Sequence, residues 1–219
     1  AYAALAIWLV HKYGSGNRQQ VTLIAAMALT SIWGIAATVA GPLSLAALCA
    51  ESARNLAWLG FMFFLFRSGE GREQPRTINM IYMVLLLVLL FQPLNDWVVT
   101  FLHANKAETG MAIQSAMTLR MIYAVGALVL VHNLYTVSAP EARWGISLPM
   151  AALAAMWTYD LNLYTISYLT ETASTELIAT RGFAAAVLAP VFVMAARRNS
   201  SWRIRLSRSV AFQSVSLVV

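Results

Sequence analysis

The chain has 219 residues, of which 60% are hydrophobic and only 11% are charged. A water-soluble domain of this length needs far more polar surface, so the composition excludes an ordinary soluble fold and indicates apolar side chains that face lipid. The net charge is +6, and in such a hydrophobic chain an excess of Lys and Arg usually lies in cytoplasmic loops. No basic run is interleaved with aromatic residues, so we expect no nucleic-acid partner.

Apolar runs recur along the whole chain, and a membrane-spanning helix needs about 20 mostly apolar residues. The predicted spans cover residues 1–13, 21–40, 43–66, 78–102, 111–138, 144–169 and 175–196, and an eighth starts near residue 210 and runs to residue 219. Backbone amides in lipid must pair within their own segment, which favours helices over strands. The predicted fold class is an all-α integral membrane bundle of about seven transmembrane helices plus the start of an eighth.

The whole chain, 1–219, is predicted to form a single transmembrane domain. It begins inside one apolar run and stops inside another, so we expect it to be a fragment of a longer protein. Gly41 and Pro42 predict a tight turn between the second and third spans. Pro93, Pro149 and Pro190 fall inside predicted spans and should kink them.

The distribution of basic residues predicts the orientation. Of the fifteen Lys and Arg residues, three lie inside spans and one, Lys106, lies in a loop after an even-numbered span. The other eleven follow spans one, three, five and seven: Lys12, Arg18, Arg67, Arg72, Arg76, Arg143, Arg197, Arg198, Arg203, Arg205 and Arg208. The positive-inside bias places those loops in the cytoplasm and the start of the first span outside.

Several ionisable residues lie where lipid would surround them. A charge at the bilayer centre costs about 2.5–3.5 kcal/mol on insertion scales, so such groups normally face the bundle interior and pair. Helical spacing puts Glu51, Arg54, Asn55 and Trp58 on one face of span three, and Trp157, Asp160 and Tyr164 on one face of span six. The candidate site residues are Glu51, Arg54, Asn55, Arg120, Asp160 and Arg181, with Asp96, Glu176, Trp58 and Trp157 as secondary members.

Two interpretations of this set are open at the level of sequence. In one, Glu51, Arg54, Arg120, Asp160 and Arg181 line a polar cavity open to the outer side, where three arginines and fewer acids favour an anionic ligand. In the other, the same residues form a structural ion-pair network that locks the bundle.

Motifs for catalysis and cofactor binding are missing from the sequence. Cys49 is the only cysteine, and His11, His103 and His132 lie in different segments without metal-ligand spacing. The only lysines, Lys12 and Lys106, lie in loops, which excludes a retinal Schiff base in the last span. We therefore expect no catalytic residue, metal or cofactor in this segment.

Two stretches carry a resemblance to a known family. One is E-x-x-R-N-x-x-W-x-G-F, beginning at Glu51, and the other is the basic run of residues 198–214, which leads into a new apolar segment. Both resemble the N-terminal membrane region of the PrsK-type sensor histidine kinases associated with the PEP-CTERM/exosortase system. Gln213 is a departure, because the family has His at that position.

The resemblance implies a multi-span sensory domain in the bacterial inner membrane, followed by a cytoplasmic GAF-like domain and an ATP- and Mg²⁺-dependent histidine kinase. It also implies a homodimer formed through the kinase, a response-regulator partner and control of exopolysaccharide genes. The leading prediction is thus a signal-input domain that detects an outer-side or membrane stimulus. The alternatives are a small-molecule transporter or channel, and a noncatalytic membrane anchor for dimerisation.

Overall fold

A computed structural model describes residues 1–13, 17–67, 76–101, 106–138, 140–170 and 175–198, and about 95% of these residues are helical. Seven helices follow one another in these described ranges: α1 (Tyr2–Tyr13), α2 (Arg18–Val39), α3 (Leu45–Arg67), α4 (Arg76–Phe101), α5 (Lys106–Val137), α6 (Pro140–Leu169) and α7 (Thr175–Arg198). The prediction of an all-helical fold is confirmed for the described residues. The predicted eighth span, 210–219, lies outside them, as do Arg72 and the basic residues Arg203, Arg205 and Arg208.

Each of the first seven predicted spans coincides with one helix, but some helices start earlier than predicted. α5 starts at Lys106 rather than at residue 111, and α6 starts at Pro140 rather than at residue 144. Hydropathy identifies only the apolar part of a helix, whereas backbone hydrogen bonds continue into the polar residues that flank it. Pro93, Pro149 and Pro190 lie inside α4, α6 and α7, as predicted.

The predicted tight turn between α2 and α3 is present and has a clear local cause. Gly41 has φ of +92°, a left-handed conformation that glycine adopts without a Cβ clash. Ser44 follows, and its hydroxyl accepts a hydrogen bond from the backbone N–H of Ala47 at 3.2 Å. A serine that accepts from an N–H of the first turn stabilises the start of a helix, which fixes where α3 begins.

The helices form a closed ring with one helix nearer its centre. Each helix packs against the next one along the chain, and α7 packs against α1, where the Tyr2 hydroxyl donates to the carbonyl oxygen of Ala185 at 2.9 Å. α3 contacts α5 as well as its two neighbours in sequence. This central position brings the charged residues of α3 within reach of α6 and α7.

Large apolar side chains face outwards as well as into the core, and several charged side chains are buried. α4 exposes large apolar side chains along one face, among them Met80, Leu87, Leu90 and Leu94, while Arg54 of α3 is only 1% exposed. Four helical segments are long and apolar enough to cross a membrane: Arg18–Val39, Arg76–Phe101, Gln114–Val137 and Glu176–Arg198. These features are typical of a membrane protein. The larger number of seven spans stays a prediction.

Basic residues gather at one end of the ring, which we call the basic end. It contains the ends of α1, α3, α5 and α7 and the starts of α2, α4 and α6, with Lys12, Arg18, Arg67, Arg76, Arg143, Arg197 and Arg198. Contacts between helices join these ends. For example, Arg143 of α6 donates to the carbonyl oxygen of Thr136 of α5 at 2.8 Å, and Gln19 of α2 donates to that of Phe64 of α3 at 3.4 Å.

Candidate functional site

Four charged residues from three helices meet inside the bundle, and we call them the central cluster: Glu51 and Arg54 of α3, Asp160 of α6 and Arg181 of α7. The Arg181 guanidinium donates to both oxygens of Glu51, from Nη1 at 3.0 Å and from Nη2 at 2.6 Å. Its Nε donates to Oδ1 of Asp160 at 2.7 Å. One arginine of α7 therefore binds carboxylates of two different helices.

Asp160 is shared between two arginines. Its Oδ1 accepts from Arg181, and its Oδ2 accepts from Nη2 of Arg54 at 2.9 Å. Charge-assisted hydrogen bonds of this kind are among the strongest that side chains form. The shared carboxylate thus joins α3, α6 and α7 in a continuous chain of ion pairs.

Aromatic side chains surround the two arginines of the central cluster. The guanidinium carbons of Arg54 and Arg181 lie 4.4 and 4.9 Å from the ring centroid of Trp33, which is on α2. The Tyr164 hydroxyl donates to Oε1 of Glu51 and accepts from Arg181 Nη2 at 2.7 Å. Cations over aromatic rings gain up to about 2 kcal/mol when water is excluded, so α2 also contributes to the cluster.

Asn55 extends these contacts to α5. Its side-chain oxygen accepts from Arg54 Nη2 at 3.2 Å, and its backbone carbonyl accepts from the Tyr123 hydroxyl at 2.9 Å. Tyr123 also packs edge to face on Trp157, with ring centroids 6.0 Å apart. Five helices therefore meet around the central cluster.

The central cluster lies deep inside the bundle, on the side away from the basic end. Glu51 and Arg181 are each six residues from the first residue of their helix, or about 9 Å along the axis at 1.5 Å per residue. The side chains of Glu51 and Asp160 are each 4% exposed, and that of Arg181 is 10% exposed. The charges therefore meet one another rather than solvent.

A second ion pair, which we call the lateral pair, joins Arg120 of α5 to Asp96 of α4. Arg120 Nη2 lies 2.7 Å from Asp96 Oδ2, and Nη1 donates to the carbonyl oxygen of Ala116 at 3.3 Å. The sequence placed Arg120 with the other arginines; its salt bridge is with Asp96, and its guanidinium carbon also lies 6.0 Å from the ring centroid of Tyr164, which contacts the central cluster. Three arginines thus meet three carboxylates, which removes the excess of arginine on which the anionic-ligand hypothesis depended.

The secondary members of the predicted set have different positions. Trp58 is fully buried, donates from Nε1 to Oγ1 of Thr30 at 3.2 Å and stacks on Phe192 with centroids 4.8 Å apart. Trp157 is fully buried, and its Nε1 has no hydrogen-bond partner among the described residues. Glu176 is exposed in the first turn of α7, where a negative charge interacts favourably with the helix dipole. It is not a member of the central cluster.

Sequence reasoning missed Trp33 and Tyr123. Trp33 is three residues after Thr30 on α2, so both lie on one helix face, and both are buried. A polar residue and a tryptophan at this spacing in a predicted span are a usable signal of a face directed to the interior. Nothing in the sequence indicates which arginine that face meets.

Among the described residues, a cavity on each of two flanks of the bundle is lined by no member of the central cluster. One, of about 560 Å³, lies between α4 and α5 and is lined in part by Asn95, Ser115 and Thr118. The other, of about 520 Å³, lies between α1 and α7. Within the described ranges no group of His, Cys, Asp and Glu side chains is arranged to hold a metal ion.

Comparison of the chain with protein-family models, curated proteins and solved structures finds no match. What the protein does is therefore inferred from the geometry of the central cluster and from the two sequence stretches described above.

Proposed function

We propose that the chain is the membrane-embedded signal-input domain of a two-component sensor histidine kinase. One observation carries the proposal: Arg181 of α7 binds Glu51 of α3 and Asp160 of α6 at the same time. A stimulus that weakens one of these contacts changes how α7 is held against α3 and α6. α7 ends at the basic end, where the chain runs on into the second stretch that resembles the kinase family.

The proposed setting is the bacterial inner membrane, with seven spans and the basic end in the cytoplasm. α3 and α6 have 23 and 30 residues, so each reaches about 30 Å or more, which is the thickness of the hydrocarbon core. They carry the charges of the central cluster, and these lower the hydropathy of helices that are otherwise apolar. Basic residues collected at one end of the bundle support a cytoplasmic location for that end.

The signal in this proposal is a shift of α7 between two packed arrangements. A ligand or membrane change shifts such an equilibrium only through a difference in its interaction energy with the two states. In a buried cluster that difference is large, because an ion pair broken in a low-dielectric interior leaves charges without partners. The outer-side position of the cluster puts it nearer to an external stimulus than to the kinase.

The remainder of the proposed protein follows from the sequence resemblance. A cytoplasmic kinase core would bind ATP and Mg²⁺, dimerise and transfer phosphate to a response regulator. Because α7 precedes the predicted eighth span and the kinase, a displacement of α7 would reach the kinase through the spans that follow it. The ion pairs would then set the basal output of the kinase.

The test uses the full-length protein in membrane vesicles and measures autophosphorylation with labelled ATP. Arg181→Gln removes the contacts of α7 with both acids, and we expect the basal rate to change by about threefold or more in either direction, since loss of a contact worth 1 kcal/mol already changes an equilibrium about fivefold. Arg181→Lys keeps the charge but loses the forked geometry, and we expect a smaller change. Arg18→Gln, an exposed change at the basic end, is the control.

Folding of each variant is checked by its elution as a single species in detergent. If Arg181→Gln does not fold, Glu51→Gln takes its place, because it leaves the Arg181 contact with Asp160. A folded variant with the wild-type rate would contradict the proposal and favour an anchor without a sensory role. A full-length protein that lacks autophosphorylation and carries solutes across liposomes would replace it with the transporter alternative.

A further inference from the structure

The flank where α1 meets α7 holds a groove of about 520 Å³ with an unusual lining. Its walls include Ala4 and Trp8 of α1 and Ala189, Pro190, Val193 and Arg197 of α7. The small side chains leave the space, since Ala4 and Ala189 fill little of the gap between two helices. The wall is apolar except at one end.

The two walls of the groove are rows of residues with helical spacing, one on α1 and one on α7, and both rows lead to the basic end. On α1 Ala4 and Trp8 are four residues apart, and Lys12 follows four residues later; on α7 Ala189, Val193 and Arg197 have the same spacing. At the end of the stripes, Lys12 Nζ lies 4.7 Å from the Trp8 ring centroid and the Arg197 guanidinium carbon 5.9 Å from it. At the basic end of the apolar walls, the exposed cations of Lys12 and Arg197 therefore lie beside Trp8.

We propose that this groove binds one anionic phospholipid, with an acyl chain along the apolar walls and the headgroup phosphate at Lys12 and Arg197. From Ala189 to Arg197 the wall extends about 12 Å, enough for a substantial part of an acyl chain. A tryptophan at the end of an apolar wall is typical of the depth of lipid headgroups. Anionic lipids attract basic residues there through a surface potential that neutral lipids lack.

The two cations at the end of the groove argue against a second copy of this chain as its occupant. A two-fold contact would bring Lys12 and Arg197 of one copy near those of the other, and like charges repel. A phospholipid with net negative charge satisfies both the apolar wall and the cations. Such a lipid would touch α7 beside Pro190, on the same helix that carries Arg181.

The test measures lipid retention by native mass spectrometry of the full-length protein, purified in micelles with equal amounts of phosphatidylglycerol and phosphatidylcholine. We expect the wild-type protein to retain phosphatidylglycerol in preference. Arg197→Gln should lower that retention about fivefold, the factor that one basic residue supplies near an anionic surface. Arg198→Gln removes the same charge from a residue that does not line the groove, and should retain the lipid.

A second pair of variants tests the space rather than the charge. Ala4→Phe fills the groove from an exposed position and should abolish retention, whereas Ala3→Phe places the same ring on the neighbouring exposed residue and should not. Equal retention of the two lipids, or equal losses in Arg197→Gln and Arg198→Gln, would overturn the proposal. So would conversion of a dimer to a monomer by Ala4→Phe, which would assign the groove to a second copy. Lipid retention does not depend on kinase activity, so this experiment tests the lipid site independently of the proposed function.

Discussion

The central cluster and the lateral pair use the same chemistry with different connections. The central cluster joins α3, α6 and α7, and its partners Glu51 and Arg181 are 130 residues apart in the chain. The lateral pair joins α4 to α5, which are neighbours in sequence, and its partners are 24 residues apart. Each arginine of the first set meets a shared acid, whereas the second set is one acid and one arginine.

This difference separates two roles for buried charge. α4 and α5 already approach closely at Gly126, where an added Cβ would lie 2.5 Å from a methyl carbon of Leu85, so they can pack without their ion pair. α6 and α7 follow each other in the chain and pack together, but α3 has no short connection to either of them. We infer that the central cluster helps to determine which helices meet, while the lateral pair only strengthens a contact that packing provides.

The largest expected effect comes from Asp160→Asn. This change keeps the shape of the side chain but leaves Arg54 and Arg181 to share the single charge of Glu51, and breaking a buried ion pair from one side destabilises a fold by roughly 3–5 kcal/mol. The free energy of unfolding is measured by titration with sodium dodecyl sulfate in mixed micelles, followed by circular dichroism. The exposed change Glu176→Gln is the control and should have almost no effect. If Asp160→Asn lowers the free energy of unfolding by less than about 1 kcal/mol, the central cluster does not have the structural role inferred for it.

Asp96→Asn makes the same chemical change in the lateral pair and should have a smaller effect. It leaves Arg120 with the Ala116 carbonyl but no carboxylate. Because it breaks one ion pair whereas Asp160→Asn breaks two, we expect the free energy of unfolding to fall by about 3 kcal/mol in the same titration, the lower end of the range for a buried pair. The ratio of the stability lost in Asp160→Asn to that lost in Asp96→Asn compares the central cluster directly with the lateral pair. If Asp96→Asn destabilises the protein more than Asp160→Asn, the two roles are reversed.

The smallest expected effect sharpens the description of the central cluster itself. Tyr164→Phe removes a hydroxyl that contacts Glu51 and Arg181 but leaves their ion pair intact. Side-chain hydrogen bonds between membrane helices contribute about 0.6 kcal/mol on average and up to about 1.7 kcal/mol, so we expect a loss in that range. Tyr168→Phe, at a partly exposed tyrosine of the same helix, is the matched control. Equal losses in the two variants would mean that the Tyr164 hydroxyl has no special part in the cluster.

Much of the fold was predictable because lipid imposes simple constraints. The lengths of the apolar runs predicted the positions of the helices, and Gly41 with Pro42 predicted the turn between α2 and α3. Both features depend mainly on residues close together in the sequence. The buried state of Glu51, Arg54 and Asp160 also followed from the sequence, because charged side chains in apolar spans avoid lipid.

The pairing of those charges was not predictable in the same way. Helical spacing states which residues share a face of one helix, but it does not state which helix that face meets. The sequence-based prediction therefore gave Asp96 only a secondary place, although it is the salt-bridge partner of Arg120. Trp33 was missed because its role depends on arginines from two other helices.

The exact match of charges inside the central cluster has an electrical consequence. The formal charges of two guanidinium groups and two carboxylates sum to zero. The work that a membrane potential does on a moving group is proportional to the charge carried, about 2.3 kcal/mol per elementary charge across 100 mV. A cluster that moves as a unit therefore transfers no gating charge, and voltage gives no drive to that motion.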